Sequence, residues 1–165
     1  MQATSPRNSK IDWSTIIMFA LGFWLSGSFI FDFLVVPGML TTGMMSESGF
    51  ASAGYVIFGS FNHLEVLCAA SVLAGCFVYR YGYGLNTISN KSIALATVLL
   101  VIALAYTYIL TPLISSAGMP LDMFVTKATS SSMAGMHVVY WSLEIIKLAA
   151  AAVLLRTFYR NYCSI

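Results

Sequence analysis

The chain has 165 residues, of which 59% are hydrophobic and only 8% charged, with a formal net charge of +2. Soluble domains carry about 25% charged residues, so a soluble fold of this length could not hide its apolar surface, and lipid must be the solvent. The small net charge leaves no electrostatic footprint for nucleic acid, which is excluded as a partner.

In chain order, the first ten residues are polar, and residues 1–11 read as a disordered N-terminus. Four apolar stretches follow, at about 13–36, 55–79, 92–113 and 133–155. Each reaches the roughly 20 residues needed to cross a hydrocarbon core about 30 Å thick. The first is too long for a cleavable signal, and no small-residue cleavage site follows it closely. The loop from Tyr81 to Asn90 is short, so the second and third spans should pack as an antiparallel hairpin. The stretches Met39–Ala53 and Ser115–Ser132 are longer and rich in Gly, Ser, Thr and Met, and Pro120 could start a short interfacial helix. The expected fold is an all-α membrane four-helix bundle, one domain over residues 12–156 with a tail at 157–165. Gly22, Ser26 and Ala149–Ala152 are expected to permit close helix contact.

Basic residues set the expected orientation. Arg7, Lys10, Arg80, Lys91, Arg156 and Arg160 fall on one side and Lys127 on the other, which puts both termini in the cytoplasm. Trp13, Tyr79, Tyr81, Tyr83, Phe158, Tyr159 and Tyr162 flank that face and read as an aromatic belt.

A repeat is visible. Phe31-Asp32-Phe33-Leu34-Val35-Val36-Pro37 matches Tyr106-Thr107-Tyr108-Ile109-Leu110-Thr111-Pro112, and Leu64-Glu65 matches Leu143-Glu144. The spacing between the two matches differs by four residues, which suggests two helical hairpins related as a parallel repeat.

Charged residues inside a span are costly and read as functional. Here they are Asp32, Glu65, Glu144 and Lys147. At about 1.5 Å per residue, Asp32, His63, Glu65, Tyr106, Tyr108 and His137 share a layer toward the non-cytoplasmic edge, and Glu144 and Lys147 run deeper. Asn62 and Glu65 share a stripe with Ala69, Val72 and Cys76, whereas His63 and Glu65 point in nearly opposite directions. His137, Tyr140, Trp141 and Glu144 line a second stripe, and Glu144 and Lys147 at i, i+3 can neutralise each other.

Several chemistries fit these residues. Met39, Met44, Met45, Met119, Met123, Met133 and Met136 gather on the outer side, and Met133 with His137 at i, i+4 offers soft donors suited to copper. His63 and His137, at similar depth on helices running the same way, could hold a haem b. Asp32, Glu65 and Glu144 suit a small transporter or proton-linked carrier. A non-catalytic accessory or assembly subunit of a larger membrane complex, or a homo-oligomer, is also open. No nucleophile motif, phosphate loop or zinc signature is present, so a conventional enzyme is not expected. Cys68 and Cys76 are about 12 Å apart along one helix and read as core filler, not a disulfide.

The chain also resembles a known group on Trp24-Leu25-Ser26-Gly27, Phe33-Leu34-Val35-Val36-Pro37, Leu110-Thr111-Pro112 and His137-Val138-Val139-Tyr140. These pieces, within roughly Trp24 to Leu155, look like the four-helix membrane family called domain of unknown function 4149, the transmembrane protein 205-like proteins. The resemblance implies a four-helix membrane fold and no catalytic residues.

Overall fold

A computed structural model describes residues 13–43, 49–82, 88–113 and 130–162. Its helices are α1 (Trp13–Ile30), α2 (Val36–Thr41), α3 (Phe50–Gly82), α4 (Asn90–Ala105) and α5 (Ser130–Tyr162). A π-turn at Phe31–Val35 joins α1 to α2, and a second at Tyr106–Leu110 continues α4. The helical segments Trp13–Met39, Ser52–Gly82, Asn90–Leu113 and Val138–Asn161 are each long and apolar enough to cross a membrane, so the chain is a multi-pass integral membrane protein.

The spans form a ring. α1 packs against α3 and α5, and α4 packs against the same two, which leaves α1 opposite α4 and α3 opposite α5. Each helix turns a stripe inward at three- and four-residue spacing: Ile17, Leu21 and Trp24; Ala69, Val72 and Cys76; Ala96, Leu99 and Ala103; Ala151, Leu154 and Phe158. The outer surface is apolar, with Phe19, Phe23, Phe33, Leu67, Val101 and Ile145 all exposed. Such a surface is stable only against acyl chains.

Two helices outrun the expected spans. α3 and α5 have 33 residues each, and α5 continues through most of the expected 157–165 tail. Neither contains a proline, so nothing breaks the ladder where hydropathy falls. At about 1.5 Å per residue they are about 50 Å long and reach past the hydrocarbon into the headgroups. The hairpin turn is tied by Arg80, which donates to Asn90, and by Ser89, whose hydroxyl caps α4 by accepting from the Lys91 N–H at 3.2 Å.

Two sequence expectations are corrected here. Tyr79 and Phe158 belong to the core, with 8% and 1% of their surfaces exposed, and their rings meet at 6.2 Å. They continue the inward stripes of α3 and α5, which outrank their position near the membrane boundary. Tyr81 and Tyr159 are exposed, as a belt requires. Gly22 does not mediate close packing, because a Cβ there would meet nothing within 4 Å. The close approach is at Gly75, where a Cβ would come within 2.6 Å of the Ile17 side chain. Ile17 is fully buried and stiff at χ1. Gly75→Ala is therefore expected to cost about 1–3 kcal/mol by overpacking, read as earlier heat-induced loss of the monodisperse protein. Ile17→Val in the same chain should recover part of the loss.

The same construction appears in both hairpins. In each π-turn the bond runs from residue i to i−5: the Val36 N–H donates to the Phe31 carbonyl, and the Thr111 N–H to the Tyr106 carbonyl. Proline is the cause. Pro37 and Pro112 lack an N–H, and each ring would strike the carbonyl four residues back, so the helix widens by one residue. A shift of 75 positions lays the buried Ile17, Leu21, Trp24, Ser28 and Asp32 on the buried Ser92, Ala96, Leu99, Ala103 and Thr107. A shift of 79 lays Glu65, Val72 and Tyr79 on Glu144, Ala151 and Phe158, all buried. Together the two shifts carry the stacked pair Phe31–Phe61, 4.4 Å apart, onto the pair Tyr106–Tyr140, 5.2 Å apart.

Candidate buried charge site

Among the described residues, the interior between the two hairpins holds three carboxyl groups and one ammonium. Asp32 sits in the first π-turn at 3% exposure, Glu65 and Glu144 at 1%, and Lys147 at 3%. Inward stripes place all four. Asp32 follows Leu21, Trp24 and Ser28 on the face of α1, Glu65 lies one turn above Ala69 on α3, and Glu144 and Lys147 are one turn apart on α5.

Lys147 is the hub. Its Nζ lies 2.5 Å from Glu65 Oε1 and 2.8 Å from Glu144 Oε1, so it bridges the diagonal of the bundle. It also stands 5.1 Å from the centre of the Tyr106 ring, whose face attracts a cation. Glu65 is the best-held carboxylate. Besides Lys147, its Oε1 accepts from Trp24 Nε1 at 2.9 Å and from Ser28 Oγ at 3.1 Å. Three donors on one oxygen, one of them charged, suit an ionised group.

Asp32 and Glu144 are held differently. They open on the same space, because the Tyr140 hydroxyl that reaches Asp32 belongs to the residue one turn before Glu144 on α5. Among the described residues Asp32 Oδ1 accepts only a long bond of 3.4 Å, from the Tyr140 hydroxyl. Asp32 Oδ2 and Glu144 Oε2 have no donor among the described residues, and Glu144 Oε1 touches only the Lys147 ammonium. Tyr140 is positioned in turn by Tyr106, whose hydroxyl donates to the Tyr140 carbonyl at 3.0 Å. Toward the far end, Asn62 Nδ2 donates to Thr111 Oγ1 at 2.6 Å and links α3 to the third span.

Of the polar residues singled out from sequence, Asp32, Glu65, Tyr106, Tyr140, Glu144 and Lys147 come together. Tyr108 does not; it is 69% exposed, on the outer side of its π-turn. Depth along the helix put it in the layer, but direction around the helix takes it out. Trp141 is likewise turned outward at 41% exposure. His63 is exposed, on the side of α3 away from Glu65, with Nδ1 2.6 Å from the Gly59 carbonyl oxygen. The side chains of Met133 and His137 lie outside the described residues, as do Met44, Met45, Met119 and Met123 and the expected helix after Pro120. Among the described residues no group of three or more His, Cys, Asp or Glu side chains is arranged to hold a metal ion. Cys68 and Cys76 are free thiols.

Sequence reasoning missed Trp24 and Ser28 as partners of Glu65. Their signal was present, since Leu21, Trp24, Ser28 and Asp32 recur every three or four residues and two of the four are polar.

Comparison with known protein families, with curated proteins and with solved structures finds no match to this chain.

Proposed function

We propose that this protein is a small carrier, which handles a small solute or metal ion through the charge site between its two hairpins. The observation that carries the reading is the mismatch of charge and donors. Three buried carboxyls face one ammonium, and Asp32 Oδ2 and Glu144 Oε2 meet no donor among the described residues. An ionised, unpaired carboxylate in hydrocarbon is costly, so such a site is built to exchange something positive. The setting supports this. Internal repeats with a polar site between them are how many membrane carriers hold substrates and coupling ions, and here a π-turn falls at the corresponding position of each hairpin. By basic-residue bias both termini face the cytoplasm. Lys147, about 13 Å along the helix from Arg156, then lies near the bilayer centre, and Asp32 lies toward the far side. Membership in the domain of unknown function 4149 family is proposed on the motifs quoted above, and it agrees with the four-span fold.

The test uses the purified protein in liposomes loaded with a pH-sensitive dye. Alkali cations, divalent transition-metal ions and primary amines are added outside in turn. At least one is expected to change the internal pH, and Asp32→Asn should abolish the response, whereas His63→Ala should retain it. No response to any of them, together with co-purification in a larger complex from native membranes, would replace the carrier with an accessory subunit.

A further inference from the structure

We propose that Asp32 and Glu144 form a proton-binding site, a carboxyl–carboxylate pair that shares one proton between the first and fourth spans. The inference rests on the carrier reading and names its coupling ion.

Every charged or titratable group that faces the pair bears on the argument. From the second span comes Glu65, from the third Tyr106, and from the fourth Tyr140 and Lys147. Among the described residues Lys147 is the one cation in the group, and Glu65 already claims it at 2.5 Å, with Trp24 and Ser28 holding the carboxylate in place. Glu65 and Lys147 therefore cancel. What remains is Asp32 against Glu144, with the flank of the same ammonium and one long bond from Tyr140. Two carboxylates that share one buried space, with oxygens that meet no donor among the described residues, cannot both stay ionised where water is excluded. A single proton removes one charge and allows a hydrogen bond, from the protonated oxygen of one group to an ionised oxygen of the other. It also supplies the donor that the bare oxygens lack.

The pair joins two kinds of helical backbone. Asp32 belongs to a π-turn, where the helix is locally widened, whereas Glu144 belongs to a continuous helix. Loss of the shared proton sets like charges against each other across the α1–α5 contact.

The experiment is infrared spectroscopy of the purified protein at neutral pH, in a detergent without ester groups. A carboxylic-acid C=O band is expected in the unsubstituted protein, with a downshift in heavy water. Labelling with isotope-substituted aspartate alone, and with glutamate alone, should each move it, because the proton is shared. Asp32→Asn and Glu144→Gln should each remove it, and Tyr140→Phe should keep it at a changed frequency. Absence of the band in the unsubstituted protein, its insensitivity to either label, or its loss on adding sodium would overturn the proposal. A band without any solute response in liposomes would keep the proton site and remove the carrier. A solute response without the band would do the reverse.

Discussion

Lys147→Met is expected to be the most damaging single substitution in the chain, with a loss of about 3–5 kcal/mol, as for removal of one partner from a buried ion pair. Methionine matches the length and apolar stem of lysine, so little packing is lost. The loss comes from Glu65 and Glu144, each 1% exposed, which then face each other across the bundle with no ammonium between them. Heating followed by size-exclusion chromatography reads the effect as a lower temperature for loss of the monodisperse peak. Glu65→Gln in the same chain should recover more than half of it, because the amide oxygen still accepts from Trp24 and Ser28 while one buried charge disappears. A Lys147→Met protein as heat-resistant as the parent would mean that the carboxyls are already neutral and the ion pair holds nothing together.

The charged residues of this site were legible because lipid penalises them. In a chain with 8% charged residues, an aspartate, two glutamates and a lysine inside apolar runs stand out without any structure. Their directions around the helix were only half legible. Glu65 sits on a regular stripe with Ala69, Val72 and Cys76, so its inward aim follows from spacing. Tyr108 is two residues beyond Tyr106, so spacing already turns it about 160° away from the site, and only its depth placed it in the layer. Pro112 announces an irregularity there, but it does not say whether the helix kinks, breaks or widens. Trp24 was passed over for another reason. A tryptophan among phenylalanines and leucines looks like filler, and only the position of Glu65 on the neighbouring helix reveals its N–H as a donor. Tyr79 and Phe158 show the converse, since their place near a boundary suggested a belt although their stripe positions were already inward.

Exchange of the ammonium between the hairpins is the most demanding test of their equivalence. The shift of 79 positions that carries Glu65 onto Glu144 carries Cys68 onto Lys147, and each lies three residues beyond its glutamate. Cys68 is half-buried and close enough to Glu65 to feel its charge. Lys147→Cys alone should destabilise the protein about as much as Lys147→Met, by about 3–5 kcal/mol. Cys68→Lys alone places a second ammonium beside the first. That extra charge is opposed by three carboxyls, so its cost is the smaller of the two. In the double variant the new lysine sits at i+3 from Glu65 with Glu144 across the diagonal, a mirror of the present arrangement, and at least half of the lost stability should return. Strong non-additivity of the two substitutions is the signature, because residues that share one partner couple where distant ones do not. A double variant no more stable than Lys147→Cys would show that the hairpins match in backbone and packing, but that Tyr106 and Tyr140, which replace Phe31 and Phe61, fix the ammonium to one side.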